Sequence, residues 1–302
     1  MYIYKMFGMI ISSEIQLPVC QEQQHLAGQA TVFIKYGKVH KHLPNDIRNA
    51  DQHTFVKPGN IWLHIKDVVW IHIFNGTNIT VELFDNAHLQ TVCLFLFGSG
   101  IGALAHQQGK SIIHGNTIQT KNGCIVFTGD SGAGKSTIST AMYTRGHSFV
   151  ADDLAVITTD FEVEPGIPRL KIWQDTAQKL NINTENLDKI RLLVDKYSYP
   201  ITKNISFESK PIQAIILLEN HNDNTFNIEE VKGIEKLAEI QKHTYRRFYV
   251  EGMGYHQQFF ELTSNLSQRI ILYRITRPAN DFGFQLEKLI NIVDDIITTN
   301  YY

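Results

Sequence analysis

The chain has 302 residues, enough for one large domain or two modest ones with real cores. Hydrophobic residues make up 43% and charged residues 19%, a globular balance that excludes a disordered or fibrous protein. With 28 basic and 30 acidic side chains the net charge is −2, so neither nucleic acid nor an anionic membrane is expected as a partner.

The first residues, MYIYKMFGMIISSEIQLP, hold one lysine and a short apolar stretch that soon meets Ser12, Ser13 and Glu14. That is a poor signal peptide. Residues 30–37, 61–75 and 79–85 are rich in β-branched and aromatic residues and predict strands, with Gly59-Asn60 and Asn75-Gly76 as turns. Residues 1–90 therefore read as a small β-rich N-terminal domain built on an antiparallel sheet. The three cysteines, Cys20, Cys93 and Cys124, are scattered and form no CxxC, so zinc and a disulfide framework are not expected and a reducing cytoplasm fits. Cys124 lies in an apolar run and reads as a small core residue.

The second domain is expected over 91–302. A helix over 88–107 opens this part of the chain. Its apolar run, 91–106, falls short of about 18 residues and contains three glycines, which favours a buried helix over a membrane span. SIIHGNTIQT and GCIVFTGD follow as a strand pair turning at Lys121-Asn122-Gly123. A glycine-rich loop comes next, then a helix over 135–145 with Gly146 at its C-cap. SFVADDLAVI reads as the next strand, with further strands at 212–218 and 270–275 and helices at 233–243 and 282–298. Strand, glycine loop, helix, strand is an α/β arrangement.

Gly129-Asp130-Ser131-Gly132-Ala133-Gly134-Lys135-Ser136 matches the phosphate-loop pattern GxxxxGK[ST] at every fixed position, with Thr137 completing the turn into the helix. Glycines let successive backbone N–H groups point inward at phosphate oxygens, and the helix that follows adds its positive end. Lys135 supplies an ammonium for the β and γ phosphates, and Ser136 a hydroxyl for Mg²⁺. ATP with Mg²⁺ is the expected cofactor pair.

Asp152 and Asp153 come 17 and 18 residues after Lys135, earlier than the acidic Mg²⁺ partner of most phosphate-loop proteins. Two adjacent carboxylates there can divide labour, one on Mg²⁺ and one accepting a proton from an attacking hydroxyl or water. A strand end with one carboxylate capping a turn is the competing account. His114, one hairpin before the loop, can stabilise charge on a phosphate oxygen or serve only the strand end.

The stretch IIHGNTIQTKNGCIVFTGDSGAGKSTISTAMYTRGHSFVADDLAVI resembles the C-terminal catalytic domain of the HPr kinase/phosphorylase family. That family carries an upstream histidine, the loop form GDSGxGKS, then RGH and ADD, so His114, Lys135, Ser136, Asp152 and Asp153 stand at matching positions. The resemblance implies a P-loop kinase fold of the HPr-kinase/PEP-carboxykinase type, Asp153 as the general base that activates a serine hydroxyl, and Asp152 as its supporting or metal-binding neighbour. The first hundred residues do not match the N-terminal domain of the bifunctional members, and EPGIPRLKIW (164–173) replaces their acidic, glycine-containing signature. The layout is closer to the HPr-kinase-like proteins of biosynthetic clusters, including those that phosphorylate lasso-peptide precursors, which share the strand-rich start, PGxPRLKxW and a late HTYR. The implied substrate is a peptide or small protein. The bifunctional members are hexamers, so the likeness allows a homo-oligomer.

Arg169 and Lys171 fall at alternate positions and share one side of an extended segment, facing a triphosphate, an acidic substrate or solvent. HTYRR (243–247) and the Arg274/Arg277 pair can add a second basic rim, and 196–210 reads as a loop over the substrate. The expected activity is ATP-dependent phosphorylation of a serine hydroxyl. A nucleotide hydrolase or switch, and a non-catalytic nucleotide-binding module, use the same loop and stay open on the residues alone.

Overall fold

The computed structural model describes residues 1–45, 53–85, 87–191, 194–279 and 285–299. The chain folds as two units, one of Met1–Ile112 with Tyr245–Leu262 and one of Ile113–Thr244 with Thr263–Tyr302.

The first unit is built on a seven-stranded sheet of β1 (Tyr2–Met6), β2 (Met9–Ser13), β3 (Val32–Tyr36), β4 (Thr54–Lys57), β5 (Asn60–Ile65), β6 (Val69–Phe74) and β7 (Asn78–Leu83), ordered β1-β2-β3-β7-β6-β5-β4. The run 61–75 is two strands, because Lys66-Asp67-Val68 turns the chain with Asp67 at φ 58°. Asn75 and Gly76 both take positive φ between β6 and β7, a conformation open to glycine and more readily adopted by asparagine than by other residues. The sheet is not wholly antiparallel: β3 lies parallel to both β2 and β7, since the chain crosses over before and after it. β1 and β2, unforeseen in the sequence, pair around Phe7-Gly8, which supply the positive φ values of a tight turn.

Leu89–Gln107 forms a helix with an internal π-helical segment, Leu96–Gly100. It belongs to the first unit rather than opening the second. At 19 residues and a mean hydropathy of 1.5 it is long and apolar enough to cross a membrane by composition, contrary to the shorter run read from the sequence. Two-thirds of that window, 67%, is buried within the protein. Its end is tied to the sheet by Gln107, whose Oε1 accepts the Gly76 N–H at 2.8 Å.

In the second unit, β8 (Ser111–Thr120) and β9 (Gly123–Gly129) form the expected hairpin, and β9 lies parallel to β16 (Lys210–His221). β18 (Ile271–Pro278) runs parallel to β16 on its other side, and β17 (Asn227–Val231) closes that edge antiparallel. Helices Lys135–Thr144 and Leu286–Thr299 cover one face, joining Ile138, Met142, Leu289 and Val293 to Phe127, Ile216 and Ile275 in one core. Residues 282–284, where the sequence starts the last helix, lie outside the described residues. A three-stranded sheet stands apart in order β13 (Arg169–Trp173), β15 (Val194–Pro200), β14 (Asp188–Arg191). Residues 196–200 are therefore paired strand, not loop; the alternation of Tyr197 and Tyr199 toward the core is short enough to look aperiodic in sequence. Cys93 and Cys124 are buried, and burial pushes the Cys124 thiol up to about 12, which marks it as inert packing.

Candidate functional site

β9 ends at Gly129, the glycine loop follows, and the helix begins at Lys135, all at the carboxyl ends of the parallel strands β9, β16 and β18. This is where open α/β sheets place ligands. Gly129, Gly132 and Gly134 take φ of 135°, 86° and 105°, which non-glycine residues rarely adopt. A Cβ on Gly129 would stand 2.3 Å from the Leu218 carbonyl oxygen, so the strand packing itself requires glycine there.

A cavity of about 450 Å³ lies over this loop. Ser131, Gly132, Gly134, Lys135, Ser136 and Thr137 form one wall, with His114 and Asp153 beside them. Gly129, Asp130 and Ala133 complete the loop by turning their carbonyls to cations instead. Lys135 is 8% exposed, and its ammonium donates to the carbonyls of Gly129 at 2.7 Å and Asp130 at 3.0 Å. Burial lowers its pKa, against the opposing charges of Asp153 and Asp130.

The aspartate pair does not lie within a strand. It breaks SFVADDLAVI into β10 (Ser148–Ala151) and β11 (Leu154–Ile157), with Asp153 in the left-handed region at φ 64°. The turn sends the two carboxylates to different places. Asp152 Oδ1 accepts the Asn116 amide at 2.6 Å and its Oδ2 accepts the Lys171 backbone N–H at 2.9 Å. Asn116 also donates to Ser139 Oγ at 3.1 Å, so Asp152 braces β8, β13 and the loop helix together and is off the cavity wall. Burial and the neighbouring Asp153 charge raise its pKa to about 6. Asp153 faces the cavity and pairs with the Lys171 ammonium. Burial would raise its pKa, but the Lys171 and Lys196 charges and the Lys171 hydrogen bond hold it well below the usual carboxylate range.

His114 is fixed at three atoms: its N–H donates to the His243 carbonyl at 2.8 Å, its carbonyl accepts the Thr128 hydroxyl at 2.9 Å, and Nδ1 meets the Asp153 carbonyl at 3.1 Å. Burial is the main cause lowering its pKa, so it is neutral near pH 7. His243, read in the sequence as basic rim, is a buried support for this strand.

Lys171 does not face solvent or an open anion site; Asp153 takes it. Arg169, two positions earlier on the same strand face, does not line the cavity. The Arg274/Arg277 pair is divided, because three residues along a strand point to opposite faces. Arg274 meets Glu219, Glu229, Glu235 and Glu239 away from the loop. Arg277, 2% exposed, clamps the loop by donating Nε and Nη2 to the Ala133 carbonyl at 3.1 and 2.9 Å. Trp173, Thr176 and Lys196 also line the cavity, and the sequence reading missed them. The alternation of β13 was the available signal: Leu170 and Ile172 go to the core, leaving Lys171 and Trp173 on the other face.

Four cations on the cavity wall, Lys135, Lys179, Lys196 and Arg277, face two carboxylates, Asp153 and Asp175. The excess suits a polyanion. Among the described residues no cluster of three or more His, Cys, Asp or Glu forms a metal cage. An Mg²⁺ ion that arrives with phosphate oxygens and keeps its waters needs no such cage. Ser136 and Asp153 both line the cavity and offer the oxygen donors that kind of ion takes.

Fold and site together define a mixed α/β unit with a glycine loop and a shielded, ionised Asp153 in a cationic cavity. No protein-family model matches the sequence, and no curated protein matches it. Among solved structures it is similar to the HPr(Ser) kinase/phosphatase from Coxiella burnetii, at TM-score 0.30 and 12% identity, over 63% of this chain and 95% of that chain. The likeness is distant, and the site's own residues are what bear on function.

Proposed function

We propose that the protein is an ATP- and Mg²⁺-dependent kinase that transfers the γ-phosphoryl group to a serine hydroxyl of a peptide or small protein. The observation that carries this reading is the carboxylate of Asp153 on the same cavity wall as the glycine loop, Lys135 and Ser136. In this reading the loop amides and Lys135 hold the β and γ phosphates, with Lys135 leaving the carbonyls of Gly129 and Asp130 for phosphate oxygens. Mg²⁺ supplies charge neutralisation across the phosphates, and Ser136 is its protein ligand. Asp153 accepts the acceptor hydroxyl proton as the new O–P bond forms, while neutral His114, whose Nδ1–H donates to the Asp153 carbonyl, holds that residue's backbone in place. Asp152 acts as the brace between Asn116 and β13 rather than as a metal ligand. A base held ionised at neutral pH suits a transfer in which positioning and charge do most of the work.

The test is incubation with γ-labelled ATP, Mg²⁺ and serine-containing peptides, followed by mass mapping. Phosphoserine made by the wild type and reduced about 10²- to 10⁴-fold by Asp153→Asn, with ATP still bound, supports the assignment. Phosphate released to water at an undiminished rate with no labelled peptide would replace the kinase by a nucleotide hydrolase. ATP binding with neither product would leave a nucleotide-binding module.

A further inference from the structure

β13 and β15 form one antiparallel ladder, in which Lys171 stands opposite Ser198 and Trp173 opposite Lys196. Directly paired residues share a sheet face, so Lys171, Trp173, Lys196 and Ser198 lie on the side away from the Leu170–Ile172 core. Lys171 marks one end of that row through its ion pair with Asp153. Two strand residues further on, about 7 Å along the chain, the Trp173 ring stands on the cavity wall. Trp173 is 46% exposed. The Lys196 ammonium sits 5.2 Å from the ring centroid. The adjoining wall is Thr176, whose hydroxyl meets that of Thr137, the residue just past the Mg²⁺-directed Ser136.

We infer that this strand pair is the nucleoside side of the site: Trp173 is the stacking platform for a purine base, and Lys196 bridges that platform to the phosphates. The assignment rests on the nucleotide-binding part of the proposed function and adds the base-recognition element to it. A π-face accepts any base, so the platform favours nucleotide over bare polyphosphate without separating adenine from guanine. Lys196 has the reach for the second role, because it lines the same cavity as Lys135 and Ser136. It approaches one face of the indole, and a base takes the other.

Of the three tryptophans only Trp173 lies in the second unit, with Trp62 and Trp70 in the first. The full chain is titrated with ATP, GTP and inorganic tripolyphosphate, by calorimetry for affinity and by intrinsic fluorescence. ATP and GTP are expected to change the emission of the wild type, and tripolyphosphate to bind without that change. Trp173→Ala is expected to lose about tenfold in affinity for ATP and nothing for tripolyphosphate, while Trp173→Phe stays close to wild type. Lys196→Met is expected to weaken all three ligands by a similar factor. An ATP affinity for Trp173→Ala within twofold of wild type overturns the platform and leaves nucleotide binding standing. Wild-type protein that binds none of the three ligands overturns the nucleotide reading itself.

Discussion

Lys171 and Asp153 form an ion pair in which both side chains are largely shielded, 12% and 24% exposed, the cation coming from β13 and the acid from the turn between β10 and β11. Removing one partner of such a pair leaves a shielded charge without compensation. Lys171→Met is expected to destabilise the second unit by about 3 kcal/mol. The double variant Lys171→Met/Asp153→Asn is expected to regain most of that loss. Urea unfolding of the four proteins in the cycle checks both, and additive losses would show that the pair is not coupled.

The adjacent acid titrates in the opposite sense. Asp152 has a folded pKa raised to about 6, by burial first and by Asp153 second, against an ordinary value of 3.8. A carboxyl that binds its proton more tightly folded than unfolded adds stability below the unfolded value and loses it as pH rises through the folded one. Protonation of Asp152 is therefore expected to add stability as pH falls from about 7 toward 5, set against the loss from His114, whose folded pKa burial lowers. Asp153, held low, keeps its own contribution across that window. Asp152→Asn is expected to lose that gain, read as its difference from wild type in thermal melts at half-unit pH steps.

Gly129 and Gly132 separate two reasons for glycine in one loop. Gly129→Ala places a Cβ 2.3 Å from the Leu218 carbonyl at φ 135°, and is expected to cost about 3 kcal/mol or more. Gly132→Ala meets nothing within 4 Å, so only its φ of 86° is penalised, by about 1–2 kcal/mol. Thermal melts should rank the two in that order, and equal losses would contradict the packing account.

Arg277 serves the loop by geometry as much as by charge, since two of its N–H groups converge on the Ala133 carbonyl. Arg277→Lys keeps the charge and loses the fork. A loss of about 1–3 kcal/mol is expected, together with weaker ATP binding. Calorimetric titration checks the second effect, and unchanged affinity would remove Arg277 from the support of the loop.

The local elements were readable because short-range rules govern them. GDSGAGKS specifies a strand-to-helix turn through glycines that tolerate positive φ, and Gly146 ends the helix as expected, at φ 100°. The β1–β2 hairpin went unread because its two strands are short, and its apolar residues look like one continuous run. Trp173 and Lys196 went unread for a different reason: 22 residues of chain separate them, and only the β13–β15 register brings them face to face.

By itself, then, the sequence determined the glycine loop, its helix, the α/β texture around them and the identity of the acids on offer, since backbone sterics and local periodicity act within a few residues. Tertiary structure decided which acid faces the cavity, that Lys171 neutralises it, that Arg277 rather than Arg274 meets the loop, and where the aromatic wall stands. Those outcomes depend on strand register and on the left-handed turn at Asp153, which rotates neighbouring carboxylates apart. A one-residue shift in either would exchange the partners, and the alternation within β13 sets only its faces, not the strand and residue each face meets.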